Sequence, residues 1–185
     1  MYRCKMPVFK IYFTTHIQYH SWIRKRALIQ ENSLPMSLLR PKHSELDILL
    51  LEDSARDAEL IVRSIEDNSA KASIAVVGSV QEAMHYLEKE GGYEHVSKPN
   101  LIMLDLTLPK ESGIGFLDFV KTDDRFRTIP VIVLTSMQAD SAVRDSYAKY
   151  ANCFINKPDN LSDLTSMVNS ITNFWSSVAI LPKQE

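Results

Sequence analysis

The chain has 185 residues, 45% hydrophobic and 24% charged, enough for one globular domain and an appendage. No apolar segment reaches the length that crosses a bilayer. The two cysteines, Cys4 and Cys153, are too far apart for a metal-ligand spacing and make no disulfide framework, so the expected compartment is a reducing cytoplasm.

The net charge of −2 hides a division. Residues 1–44 carry eight Lys/Arg against Glu31 alone, a balance of +7, whereas residues 45–185 hold 13 Lys/Arg and 22 Asp/Glu, a balance of −9. The acidic body argues against nucleic acid as its ligand, because phosphate contacts need a basic face. Residues 1–44 mix basic and aromatic residues without a sustained period and lack the apolar core of a secretory signal. They are expected to be a poorly ordered extension, or to precede a true start at Met36. The domain is expected over 45–185.

From Leu46 the pattern is regular. Leu46–Leu51 is an apolar run ending in Glu52-Asp53, and Ser54 can cap a helix with Ala58, Ile61, Val62 and Ile65 on its inner stripe. Ser73–Val77 is a second strand, and Val80–Lys89 a second helix with Ala83, Met84 and Leu87 inward, stopped by Gly91-Gly92. Leu101–Leu104 is a third strand, followed by Asp105, Pro109 and Gly113 and then by a helix over Ile114–Lys121. Val131–Leu134 is a fourth strand leading to Thr135-Ser136, and a weakly amphipathic helix covers about 140–150. Cys153–Ile155 is a short strand running into Asn156-Lys157-Pro158. The last helix begins near Asn160 and sets Leu161, Leu164, Val168, Ile171 and Trp175 along one stripe.

Five strands alternating with five helices through short loops predict an α/β domain, a doubly wound parallel sheet with right-handed crossovers. In such a sheet the carboxyl ends of all strands share one edge, where sites form. That edge would gather Glu52, Asp53, Asp105, Thr135 and Lys157. Taken singly, each has an ordinary reading as a loop acid, a capping group, a β-branched strand residue or a solvated charge. Together they have the types a phosphoryl-transfer site requires. Three converging carboxylates repel one another unless a cation intervenes, and Mg²⁺ with hard oxygen ligands is the expected one. The Asp105 carboxylate would attack phosphorus, Lys157 would neutralise phosphoryl oxygens, and Thr135 would donate to them.

These residues resemble the receiver domain of two-component response regulators over 46–178. The resemblance implies a flavodoxin-like (βα)5 fold with strand order 2-1-3-4-5. It makes Glu52-Asp53 the acidic pair, Asp105 the phosphoacceptor, Thr135 the switch hydroxyl and Lys157 the lysine, followed by a cis bond to Pro158. It also implies that the Thr107 backbone carbonyl is a metal ligand and that Phe154 is the aromatic that responds to phosphorylation. A narrower resemblance, carried by Asn156–Leu161 and Asn173-Phe174-Trp175, is to single-domain regulators that partner phytochromes.

The implied partner is a sensor histidine kinase, a phytochrome-type one on the narrower resemblance. With no output domain expected after Trp175, readout would pass through a partner or a homodimer. Phe174-Trp175 is either part of a dimer contact or the terminal anchor of the last helix. A switch of this kind is a self-modifying phosphoacceptor, not a turnover enzyme. Two other readings stay open. A haloacid-dehalogenase-type phosphatase expects an acid where Thr107 stands. A receiver serving as a phosphate-indifferent interaction module would need none of the site chemistry.

Overall fold

The computed structural model describes residues 46–68, 72–109, 112–137 and 139–182. The expectation for residues 1–44 lies outside them. The strands are β1 (Leu46–Leu51), β2 (Ala72–Val77), β3 (Leu101–Leu104), β4 (Val131–Thr135) and β5 (Cys153–Asn156). The helices are α1 (Ala55–Glu66), α2 (Val80–Glu88), α3 (Gly113–Thr122), α4 (Asp140–Ala148) and α5 (Leu161–Ser177). All pairings are parallel and the order is β2-β1-β3-β4-β5, as expected.

Apart from Asp47 near the start of β1 and Thr135 at the end of β4, the three central strands are apolar because both faces of the sheet are covered. Successive residues point to opposite faces. Leu49, Leu51, Ile102, Leu104, Val131 and Val133 pack toward α2, α3 and α4. Ile48, Leu50, Leu101, Met103, Ile132 and Leu134 pack toward α1 and α5. A one-residue slip of any central strand would exchange these two sets, so register and helix placement fix each other.

Four helices start on side-chain caps. Ser54, Ser79, Ser112 and Asn160 each accept the backbone N–H three residues on, which relieves one otherwise unpaired donor per helix. Helix α4 is the exception: Ala139 offers no cap, and the helix buries only Ala142 and Ser146. It is the helix least tied to the core, a property suited to a movable element.

Two details differ from the sequence expectation. Leu164, Val168 and Ile171 of α5 are buried and half-buried Trp175 packs against the same core cluster, but Leu161 is 55% exposed. Leu161 is the first residue of its helix, where a helical side chain covers the turn N-terminal to its own Cα rather than the body of the helix. The second concerns Pro158. No cis peptide bond occurs among the described residues, so Lys157-Pro158 is trans rather than cis, the lower-energy isomer of an X–Pro bond.

Candidate functional site

The site is set by the sheet itself. Ladder hydrogen bonding continues past the strand ends: Glu52 N donates to Val77 O at 3.0 Å, Asp105 N to Leu51 O at 3.0 Å, and Lys157 N to Thr135 O at 2.9 Å. Residues from four strands are thereby held at one edge. Below Asp105 the start of α3 presses close. A Cβ on Gly113 would stand 2.8 Å from both Asp105 O and Leu106 Cα, so only a glycine lets the helix begin there.

The expected residues do converge. Lys157 Nζ lies 2.5 Å from Glu52 Oε2 and 2.5 Å from Asp105 Oδ2. All three side chains are buried. The second oxygen of each carboxylate is also used: Glu52 Oε1 accepts Ser54 N at 3.1 Å, and Asp105 Oδ1 accepts Thr107 N at 2.7 Å. A buried ion pair is tolerable only with such complete pairing. Burial pushes the Glu52 carboxyl up to about 7, with the Lys157 charge and hydrogen bond opposing and Asp105 adding to the rise. For Lys157, burial alone would lower the pKa, but the charges and hydrogen bonds of Glu52 and Asp105 outweigh it and raise the amine.

Asp53 is exposed beside this pair, and Glu52, Asp53 and Asp105 each offer a carboxylate oxygen within 4.8 Å of the others. Such a hard, anionic oxygen set fits a divalent cation. Thr135 is fully buried at the end of β4. Its Oγ1 lies 3.0 Å from Thr107 Oγ1 and accepts Met137 N at 3.3 Å. Phe154 is half-buried on β5, packed against the α2–α3–α4 side of the core.

The family model described as the response regulator receiver domain matches residues 48–169. The chain belongs to the response regulator receiver family. It is similar to Response regulator Rcp1 of Synechocystis sp., 37% identical over 135 residues, which is 73% of this chain and 92% of that protein. Among solved structures it is similar to the phosphorylated cyanobacterial phytochrome response regulator RcpA, at 38% identity and a TM-score of 0.71, covering 75% of this chain and 99% of that one. The Mn²⁺-bound form of Rcp1 matches at 36% identity and the same TM-score of 0.71, with the same coverage.

Two features of this receiver escaped the sequence reading. Asp57, in the first turn of α1, places Oδ2 3.3 Å from Lys157 Nζ and is a third acid around that ammonium. Its N–H is the donor to the Ser54 cap, and the Ser54-to-Asp57 spacing is the signal that could have placed it over the strand ends. The other is the Thr107 side chain. The resemblance gives Thr107 a role through its backbone carbonyl, but its hydroxyl pairs with Thr135. Lys157 also borders a cleft lined by Arg56, Asp57, Leu60, Ser136, Pro158 and Asn160. No helix among the described residues is long and apolar enough to cross a membrane.

Proposed function

We propose that this receiver is a phosphoacceptor switch in which Asp105 takes a phosphoryl group from the phosphohistidine of a sensor kinase. The observation that carries the reading is the buried Lys157 ammonium bridging Asp105 and Glu52 beside a third, exposed carboxylate. As the P–O bond to Asp105 forms, the P–N bond of phosphohistidine breaks and its electron pair returns to the imidazole. The sheet edge and the Thr107 N–H orient the Asp105 carboxylate, which is the positioning such a reaction depends on.

Glu52, Asp53, Asp105 and the Thr107 backbone carbonyl are the groups that would hold Mg²⁺, which when bound neutralises phosphoryl charge. Lys157 supplies the fixed positive charge on the protein side. Thr135 then turns its hydroxyl to a phosphoryl oxygen in a charge-assisted hydrogen bond. The vacated space admits Phe154, which shifts the population of the face formed by α4, β5 and α5. The weak attachment of α4 suits it to this response.

The unit that performs this is residues 45–185, with residues 1–44 outside the chemistry. The kinase partner is of the phytochrome type, by similarity to a phytochrome response regulator. The readout passes to a partner or a second copy, the switch acts in the cytoplasm where kinase and ATP meet, and it does not turn over external substrates.

The test is incubation with Mg²⁺ and acetyl phosphate followed by intact-mass spectrometry. One phosphoryl adduct is expected, absent with EDTA and absent in Asp105→Asn. No adduct in the wild-type chain would favour a phosphate-indifferent interaction module.

A further inference from the structure

Thr135 is buried and already engaged. Its Oγ1 accepts the Met137 N–H at 3.3 Å and meets the Thr107 hydroxyl at 3.0 Å. Thr107 is in turn fixed by its own N–H, which donates to Asp105 Oδ1 at 2.7 Å. A single loop residue therefore links the acceptor carboxylate to the hydroxyl that must respond to it.

We infer that Thr107 is a positioning residue that latches Thr135 in its resting place and so sets how readily a phosphoryl group on Asp105 is answered. The inference rests on the reading of Asp105 as acceptor. Whichever hydroxyl donates within the pair, the contact breaks when Thr135 turns to an anionic oxygen on Asp105. A hydrogen bond to an anion exceeds a neutral hydroxyl pair, so the anion wins. The neutral pair still subtracts from the net gain. Removing the Thr107 oxygen abolishes that opposition and leaves the buried Thr135 hydroxyl poorly satisfied at rest, which favours the responding state further.

The experiment is an equilibrium titration with beryllofluoride, a non-hydrolysing stand-in for the phosphoryl group, in Mg²⁺, followed by ¹⁹F NMR of the bound fluorides. An equilibrium probe separates the latch from any influence of Thr107 on hydrolysis of an acyl phosphate. Thr107→Val should bind about three- to ten-fold more tightly than wild type, the range spanned by one net hydrogen bond. Thr107→Ser, which keeps the oxygen, should stay within about two-fold of wild type, a small part of that range. In a Thr135→Ala background, where the latched hydroxyl is gone, Thr107→Val should change nothing further.

The inference is overturned if Thr107→Val and Thr107→Ser both match wild type. It is equally overturned if the valine effect persists undiminished in the Thr135→Ala background. Failure of the wild-type chain to bind beryllofluoride at all would overturn the acceptor reading itself, and the latch with it.

Discussion

Lys157 and Asp105 lie 52 residues apart in the chain, yet their Nζ and Oδ2 atoms meet at 2.5 Å with both side chains buried. The same ammonium stands 2.5 Å from Glu52. Removing it leaves two carboxylates in a poorly solvated site with no protein cation between them. Breaking a buried pair in this way costs about 3–5 kcal/mol. Lys157→Met should therefore lower the urea-unfolding free energy by an amount in that range in EDTA, and Mg²⁺ should restore part of the loss by taking over the charge. An unchanged unfolding curve would mean that the two acids do not depend on the lysine.

Gly113 is a steric requirement of the acceptor loop. Its absent Cβ would press to 2.8 Å against backbone atoms of Asp105 and Leu106, which cannot swing aside as a flexible side chain could. Gly113→Ala should cost about 1–3 kcal/mol, as overpacked sites do. Because the displaced atoms belong to Asp105, its rate of phosphoryl uptake should fall as well. Chemical denaturation and acetyl phosphate labelling check the two parts separately.

Asp57 should behave differently from Glu52 although both contact Lys157. Its side chain is 35% exposed and 3.3 Å from the ammonium, so water screens the pair. Asp57→Asn should change stability by less than about 1 kcal/mol, the usual range for such pairs. A loss as large as that of Lys157→Met would show that Asp57 belongs to the buried pair.

At the opposite end of the sheet Lys121 ties the end of α3 to the chain before β4 and β5. Its Nζ donates to Ile129 O at 2.7 Å, Asn152 Oδ1 at 2.9 Å and Arg127 O at 3.4 Å. Burial pulls this amine down from 10.5 to about 8. The unfolded chain therefore binds the proton more tightly than the folded one, and the cost of charging Lys121 is fully present below about pH 8. That cost is relieved as pH rises toward 10.5. The unfolding free energy of wild type minus that of Lys121→Met should accordingly rise with pH across this window. A difference that falls with pH would contradict the assignment.

The strands were legible because β1, β3 and β4 are buried on both faces and so carry unbroken apolar runs. Once these runs and the shorter β5 were seen as one parallel sheet, residues at the carboxyl ends of the strands had to converge, and Glu52, Asp105, Thr135 and Lys157 do. Asp57 was legible only indirectly, through its spacing from the Ser54 cap, and the Thr107 hydroxyl was not, since its contact depends on side-chain reach across a loop rather than on strand position. Leu161 shows the complementary limit: helical periodicity assigns it to the apolar stripe, but in the fold this first helical residue is left exposed.

The central claim is that Asp105 itself receives the phosphoryl group. Borohydride reduces an acyl phosphate to the corresponding alcohol, so labelling with acetyl phosphate and Mg²⁺, reduction and tandem mass spectrometry of the peptides locates the acceptor. Homoserine at position 105, absent without phosphodonor, is the predicted result. Reduction at Asp53 or another carboxylate, or at none, would contradict the account.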